Sequence, residues 1–297
     1  MTSSKMIQRV GLVAKARLGA AAVVITELAE WLEGRKVAVV FESDTAALAD
    51  VPAGAATVSR DQLPRECDLV VVLGGDGTLI GMADRIAAAG MDVPILGVNF
   101  GSLGFLTEIT LNELYPSLES VLAGTAQIDE RLMLRATIRR GDDVLIERLA
   151  LNDVVITKGA LSRIIDLAVA IGDQPVMRVR ADGLIIASPT GSTAYNLAAG
   201  GPIVHPAVDA FLLTPIAPHM LTNRPIVIPA SAQVRVEPAQ GTSNDELYVT
   251  IDGQFGHPLQ AGEVVFVERA LRPLRLVRAG TRTYFEVLRE KLKWSER

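Results

Sequence analysis

Cysteine is nearly absent: Cys67 stands alone among 297 residues. One thiol closes no intramolecular disulfide and builds no cysteine zinc site, which fits a reducing cytoplasm. Its neighbours Glu66 and Asp68 bring no cation to favour a thiolate, so Cys67 reads as a half-buried structural residue. Histidine is scarce too. His205, His219 and His257 lie far apart, each without a second ligand close by, which argues against zinc. No carboxylates cluster at the spacing of a protein-built metal cage. Apolar runs such as Gly19 to Ile25 are far too short for a bilayer span. The N-terminus carries Lys5 and Arg9 without the apolar core and small-residue cleavage site of a secretory signal, so a cytoplasmic protein with no membrane partner is expected. The net charge of −5 gives no indication of a nucleic-acid partner. Two phosphate-binding fingerprints are missing. Without Gly-x-x-x-x-Gly-Lys-Ser/Thr this is not a P-loop enzyme, and without Gly-x-Gly-x-x-Gly an ordinary dinucleotide oxidoreductase is disfavoured.

What is present is a globular balance, 49% apolar and 21% charged, in a chain long enough for two domains. Residues 1–127 alternate apolar strands with amphipathic helices. Strands are expected at Ile7–Ala14, Val37–Phe41, Asp68–Leu73 and Pro94–Val98. Helices are expected at Ala16–Leu32, Thr78–Ala89 and Glu113–Ala123, closed by Gly34, Gly90 and Gly124. That alternation predicts a mostly parallel sheet covered on both faces. Near Gln127 the period changes. Leu132, Leu134, Ala136 and Ile138 fall on even positions and the odd positions are mostly Arg or Thr, as in a half-buried antiparallel strand. Further strands are expected at 144–150, 164–171, 176–180, 234–236, 247–251, 263–267 and 274–277. Turn signals at Gly141–Asp143, Gly172–Asp173, Gly241–Asp245 and Gly253–Gly256 separate several of them. Residues 128–278 therefore read as a β-rich domain. A last helix, Thr281–Lys293, would place Tyr284, Phe285, Leu288 and Leu292 on one side; the segment 279–297 is expected to pack back on the first domain.

Four segments carry chemistry. Gly74-Gly75-Asp76-Gly77-Thr78 follows a buried strand and precedes a helix, at the carboxyl edge where α/β sheets bind ligands. Glycine lets backbone N–H groups approach phosphate oxygens, and a helix N-terminus favours anions. Asp76 repels phosphate, so its carboxylate makes sense if it orients a hydroxyl and accepts its proton. The competing reading is a tight turn with Asp76 capping the helix. Asn99-Phe100-Gly101-Ser102-Leu103-Gly104-Phe105-Leu106 follows the next strand; Phe100 either lies on an adenine ring or packs the loop. Asn152-Asp153 interrupts an apolar run, as a turn or as groups that bind ligand hydroxyls and amines. Arg180 to Asn196, followed by Ala199-Gly200-Gly201-Pro202, is dense in small hydroxyl residues and glycine, which suits a sugar and a purine edge. Ser192 or Thr193 is expected to cap a short helix there. Arg180 and Arg224 either neutralise phosphates or form salt bridges.

Together these segments, in this order, resemble the NAD kinase family over most of the chain. Leu221 to Pro229 and Ile251-Asp252-Gly253-Gln254 also look like family segments. Ser188 stands where Thr is usual. Ala198 stands where Ser is common, a departure that touches one hydrogen bond to the ligand. The resemblance implies a Rossmann-like N-terminal domain, an antiparallel, sandwich-like β-rich C-terminal domain, and NAD in the cleft between them. It implies that ATP, with a divalent metal such as Mg²⁺ bound to the nucleotide, phosphorylates the adenosine-ribose 2′-hydroxyl of NAD to give NADP. Asp76 would contact the reacting ribose, and Gly74, Gly75, Gly77 and Thr78 would hold phosphates of ATP. Gly77, Phe100, Asn152, Asp153, Arg180, Thr190, Thr193, Ala194, Tyr195, Ala198 and Gln254 would contact NAD, with Asp182 nearer its nicotinamide half. A homodimer or homotetramer is also implied. Two other readings remain at this point. Lipid kinases of the diacylglycerol type share the Gly-Gly-Asp-Gly-Thr segment, and a non-catalytic dinucleotide sensor would use the same pocket.

Overall fold

Residues 69–73 read Leu-Val-Val-Val-Leu, and all five are fully buried. A strand apolar on both faces belongs inside a sheet covered on both sides. The computed structural model describes residues 6–52, 54–101, 103–159, 164–220, 222–239 and 247–294 and places this strand in the middle of a largely parallel sheet. Ser102, Leu221 and the turn expected at Gly241–Asp245 lie outside the described residues. The chain divides into two units, Met1–Glu130 with Leu274–Arg297, and Arg131–Pro273.

The first unit runs β1 (Arg9–Ala14), α1 (Ala21–Glu33), β2 (Ala38–Glu42), α2 (Ser43–Ala49), β3 (Thr57–Val58), α3 (Leu63–Glu66), β4 (Leu69–Leu73), α4 (Asp76–Ala88), β5 (Ile95–Asn99), β6 (Ile109–Thr110), α5 (Leu114–Leu122) and β7 (Ile128–Arg131). Strand β1 pairs in parallel with β2 and β4, and β4 with β5. Helix α1 starts five residues later than its apolar spacing predicts. Arg17 is left-handed at φ 61°, which breaks the helix before Ala21. Ile25, Leu28 and Leu32 then face the core at helical spacing.

The second unit contains β8 (Leu134–Arg140), β9 (Asp143–Ala150), β10 (Asp153–Lys158), β11 (Ile165–Ile171), β12 (Gln174–Ala181), β13 (Gly183–Ala187), α6 (Tyr195–Ala198), β14 (Ala210–Ile216), β15 (Ile226–Pro229), β16 (Val234–Pro238), β17 (Leu247–Ile251), β18 (Phe255–Leu259) and β19 (Glu263–Arg269). They form two antiparallel six-stranded sheets, ordered β12-β11-β16-β19-β8-β9 and β15-β14-β13-β10-β17-β18. Inward residues of both sheets, such as Ile138 and Val267 from one and Ile156 and Leu184 from the other, share one core. The β13 sheet has a second apolar face, where Val155, Ile185 and Leu212 pack under Ala199 and Val204. Strands β10, β13 and β14 are therefore buried on both sides and show no alternation to read. Phe255 and Gly256, expected in a turn, begin strand β18 instead; the turn is confined to Asp252–Gln254.

The chain then adds β20 (Leu274–Val277) beside β5 in the first sheet and ends in α7 (Tyr284–Leu292). A capping box starts α7 at Tyr284 rather than Thr281: the Thr283 hydroxyl accepts the Glu286 N–H, and the Glu286 carboxylate accepts the Thr283 N–H at 2.7 Å. Its buried residues are Val287 and Leu288, while Phe285 is 61% exposed and does not share that face. Among the described residues no helix is long and apolar enough to cross a membrane.

Candidate functional site

In the first unit, the glycines after β4 divide into two kinds. The Gly74 N–H donates to Val98 O at 2.9 Å, so the sheet uses it. A Cβ at Gly74 would meet Lys15 and Thr78 at 3.0 Å, and its glycine is therefore a packing requirement. A Cβ at Gly75 or Gly77 would meet nothing within 4 Å, which leaves open space at the first turn of α4. The start of a helix favours anions through its dipole. Thr78 closes the turn by donating its N–H to Gly75 O at 3.0 Å.

Asp76 does not cap the helix. Gly75 is the N-cap, and Asp76 is the first helical residue. Its carboxylate reaches across to the loop before β6. Oδ2 accepts the Phe105 N–H at 2.9 Å, and Oδ1 accepts Leu106 N–H at 3.2 Å, Thr107 N–H at 3.0 Å and Thr107 Oγ1–H at 2.8 Å. Gly104 is glycine because a Cβ there would overlap the Asp76 carboxylate. The first two motifs are thus one assembly, α4 and the loop after β5 held together through Asp76. Asn99 contributes by accepting the Gly101 N–H at 2.6 Å and donating to Thr107 O at 3.4 Å. Phe100 packs against the core of this unit and also lines a cavity of about 400 Å³ together with Asn99, Gly101, Arg282 and Glu290.

In the second unit, Asn152 and Asp153 sit in a bend at the start of β10. Asp252 collects the bend's backbone. Its Oδ2 accepts Leu151 N–H at 2.7 Å, and its Oδ1 accepts Asn152 N–H at 2.8 Å and Asp153 N–H at 3.0 Å. From the other side Ser188 donates its N–H to Asn152 O at 2.9 Å and its hydroxyl to Leu151 O at 2.5 Å. The Asn152 backbone approaches Gly191 so closely that a Cβ there would overlap the Asn152 carbonyl oxygen. The backbone is fully held, yet the Asn152 amide and the Asp153 carboxyl have no hydrogen-bond partner among the described residues. Asp153 is only 5% exposed. Burial, reinforced by the nearby charge of Asp252, pushes its carboxyl up to about 7.

The small polar cluster after β13 is largely consumed by the fold. Thr190–Thr193 form one 3-10 turn, and α6 follows with Ala194 as N-cap, so neither Ser192 nor Thr193 caps it. The Ser192 hydroxyl bridges Val204 O and Val204 N–H, both at 3.1 Å. Asn196, fully buried, donates to Ser192 O and Pro202 O and accepts the Thr214 hydroxyl at 2.6 Å. Within this segment the Ser188 and Ser192 hydroxyls and the Asn196 amide are internal struts. Tyr195 and Ala198 remain exposed, Thr193 and Ala194 half-buried, and Thr190 is buried. Gln254 is exposed in the β17–β18 turn, and Arg180 is exposed on β12. Asp182 is paired with Lys158 Nζ at 2.8 Å, a partner that sequence reading did not supply.

Among the described residues no group of three His, Cys, Asp or Glu side chains is placed to hold a metal. His257 instead meets Glu263 at 3.0 Å. Cys67 is buried, and its thiol donates to Leu63 O at 3.1 Å.

These two assemblies can be set beside known proteins. The family model for the ATP-NAD kinase N-terminal domain matches residues 10–126, and that for the ATP-NAD kinase C-terminal domain matches residues 151–279. A curated relative from Geobacter metallireducens, named NAD kinase, is 49% identical over 271 residues, 91% of this chain and 93% of its own. One from Citrifermentans bemidjiense, also named NAD kinase, is 45% identical over 98% of this chain and all of its own. The crystal structure of yeast NADH kinase complexed with NADH superposes with a TM-score of 0.89 at 26% identity, covering 99% of this chain and 89% of that one. An NAD kinase from Archaeoglobus fulgidus in complex with ATP gives 0.73 at 25% identity, covering 95% and 99%. With matching models over both halves and close relatives over nearly its whole length, the chain belongs to the ATP-NAD kinase family.

Proposed function

We propose that this protein transfers the terminal phosphoryl group of ATP to the adenosine-ribose 2′-hydroxyl of NAD, giving NADP and ADP. The observation that carries the reading is the bend at Asn152 and Asp153. Its backbone is bonded on both sides while its amide and buried carboxyl have no partner among the described residues. Polar atoms that the fold leaves without a partner are free to bond a ligand, and each hydrogen bond so formed favours binding. An amide that donates and accepts, beside a carboxyl that accepts from vicinal hydroxyls, suits an adenosine. The names of the curated relatives, and the nucleotides in the titles of the two solved structures, support NAD and ATP as the substrates.

Each remaining residue has a role in this reading. Thr190, Thr193, Ala194, Tyr195 and Ala198 line the adenosine, with Gln254 on the neighbouring turn. Arg180 meets phosphate, and Asp182 faces the nicotinamide half. Gly75 and Gly77 leave room for ATP phosphates at the start of α4, flanked by Gly74 and Thr78; Phe100 and Gly77 border the NAD. Asp76 orients the 2′-hydroxyl through Oδ2, which accepts one protein hydrogen bond where Oδ1 accepts three. It takes the proton as the new P–O bond forms. A divalent cation such as Mg²⁺, bound with the nucleotide, would neutralise charge on the transferring group. The active form is a homodimer or homotetramer in the cytoplasm. The test is an end-point assay with NAD, ATP and Mg²⁺, read by an NADP-specific dehydrogenase. NADP should accumulate in step with ADP; absence of NADP, with tight NAD binding intact, would make the protein a sensor.

A further inference from the structure

Asp252 stands at the tip of the turn between β17 and β18, in the left-handed region at φ 51°, followed by Gly253 at φ 64°. Asp tolerates that conformation better than most residues. The placement aims its carboxylate at three consecutive N–H groups, those of Leu151, Asn152 and Asp153. The Asp252 N–H donates back to Asp153 O at 3.0 Å, so the turn and the bend are joined in both directions. A shift of Asp252 would rotate the peptide planes that carry the Asn152 and Asp153 side chains.

We propose that Asp252 is a positioning residue for NAD: without touching it, Asp252 fixes the angle at which the Asn152 amide and the Asp153 carboxyl are presented and sets the charge felt by that carboxyl. The proposal rests on the reading that Asn152 and Asp153 bind the dinucleotide. Its second part has a geometric basis. On β13 Asp153 faces the uncharged Ala187, while beside β17 the Asp252 carboxylate accepts the Asp153 N–H at 3.0 Å, which puts that charge next to Asp153. Burial and that charge together account for the raised Asp153 carboxyl.

The experiment compares Asp252→Asn, Asp252→Ala, Asn152→Ala/Asp153→Asn and the triple variant with Asp252→Asn added. Kinetics with NAD and with ATP and thermal melts are recorded for each full-length protein. Asn keeps the left-handed turn and one acceptor oxygen, so it carries the test if the Ala variant fails to fold. Asp252→Asn should raise KM for NAD roughly tenfold and leave KM for ATP within about twofold. It should move the pH inflection in kcat/KM for NAD below that of the parent. In the Asn152/Asp153 background it should change KM for NAD no further. A lower melting temperature with both KM values and the inflection unchanged would overturn the proposal and leave Asp252 as a turn former. If Asn152→Ala/Asp153→Asn itself leaves KM for NAD unchanged, the adenosine reading falls, and the role of Asp252 falls with it.

Discussion

Thr107 closes on Asp76 twice, with its hydroxyl at 2.8 Å and its backbone N–H at 3.0 Å from the same carboxylate oxygen. Thr107 is fully buried, so the contact is protected from water. The consequence is that the residue assigned to the reacting hydroxyl also anchors the loop between β5 and β6. Substitutions must separate these two functions.

Asp76→Asn should lower kcat by roughly 10²–10⁴ while the protein still folds. It should also cost about 1–3 kcal/mol, because the amide must turn a donor toward one of the backbone N–H groups. Steady-state kinetics and thermal melts check both parts. Near-normal kcat with a reduced melting temperature would leave Asp76 as an anchor alone.

Thr107→Val is the complementary change. It removes one donor to Asp76 and leaves the three backbone donors in place. A stability loss of about 1–2 kcal/mol is expected, with a kcat change well under tenfold. A kcat loss matching that of Asp76→Asn would mean that loop placement, not the carboxylate's contact with substrate, limits the reaction.

Asp153 predicts a pH dependence. Its carboxyl titrates at about 7 in the folded chain, against an ordinary value of 3.8. The sign for stability follows directly. The folded state holds the proton more tightly, so this contribution is complete below pH 3.8 and is lost as pH rises through 7. For binding the order is reversed, because ribose hydroxyls donate to the ionised form. The value of kcat/KM for NAD should rise through about pH 7 and level off above it. Asp153→Asn should flatten both the stability and the kinetic profile near that pH. A parent profile without an inflection there would refute the assignment.

The Lys158–Asp182 pair bears on the redox state of the substrate. An isolated Asp182 near the nicotinamide would favour NAD⁺ over NADH by roughly a kcal/mol. With Lys158 Nζ at 2.8 Å, much of that charge is compensated. The NAD⁺ to NADH ratio of kcat/KM should therefore increase in Lys158→Met and decrease in Asp182→Asn. Equal ratios in all three proteins would place Asp182 away from the nicotinamide ring.

Two glycines should respond differently to alanine. Gly191→Ala drives a Cβ into the Asn152 carbonyl and should destabilise by about 3 kcal/mol or more, seen as a large fall in melting temperature. Gly75→Ala meets open space and should cost less than about 1 kcal/mol. Its effect should appear as a raised KM for ATP; an unchanged KM would argue that phosphates do not occupy the start of α4.

The amino-acid sequence by itself determined the class of each sheet. Leu69–Leu73 is apolar on every residue because both faces of its parallel sheet are covered, and Leu134, Ala136 and Ile138 alternate because β8 is covered on one. The Gly-Gly-Asp-Gly-Thr segment was legible for the same local reason: a strand, a tight turn and a helix start are encoded in adjacent residues. Strands β10, β13 and β14 were harder to place, since burial on both sides by the core and by residues 199–204 erases the period. The partners of the polar groups were decided only by the tertiary structure. Asp252 meets Leu151 across 101 positions, Asp76 meets Thr107 across 31, and Ser192 and Asn196 turn inward to brace their own loop. A periodic pattern reports which side of an element is dry, whereas a hydrogen bond depends on where two distant backbones converge. Whether a given Ser, Asn or Asp faces a ligand or a neighbouring peptide is thus settled by packing, because each polar group buried with the core must find its partner wherever the fold brings one.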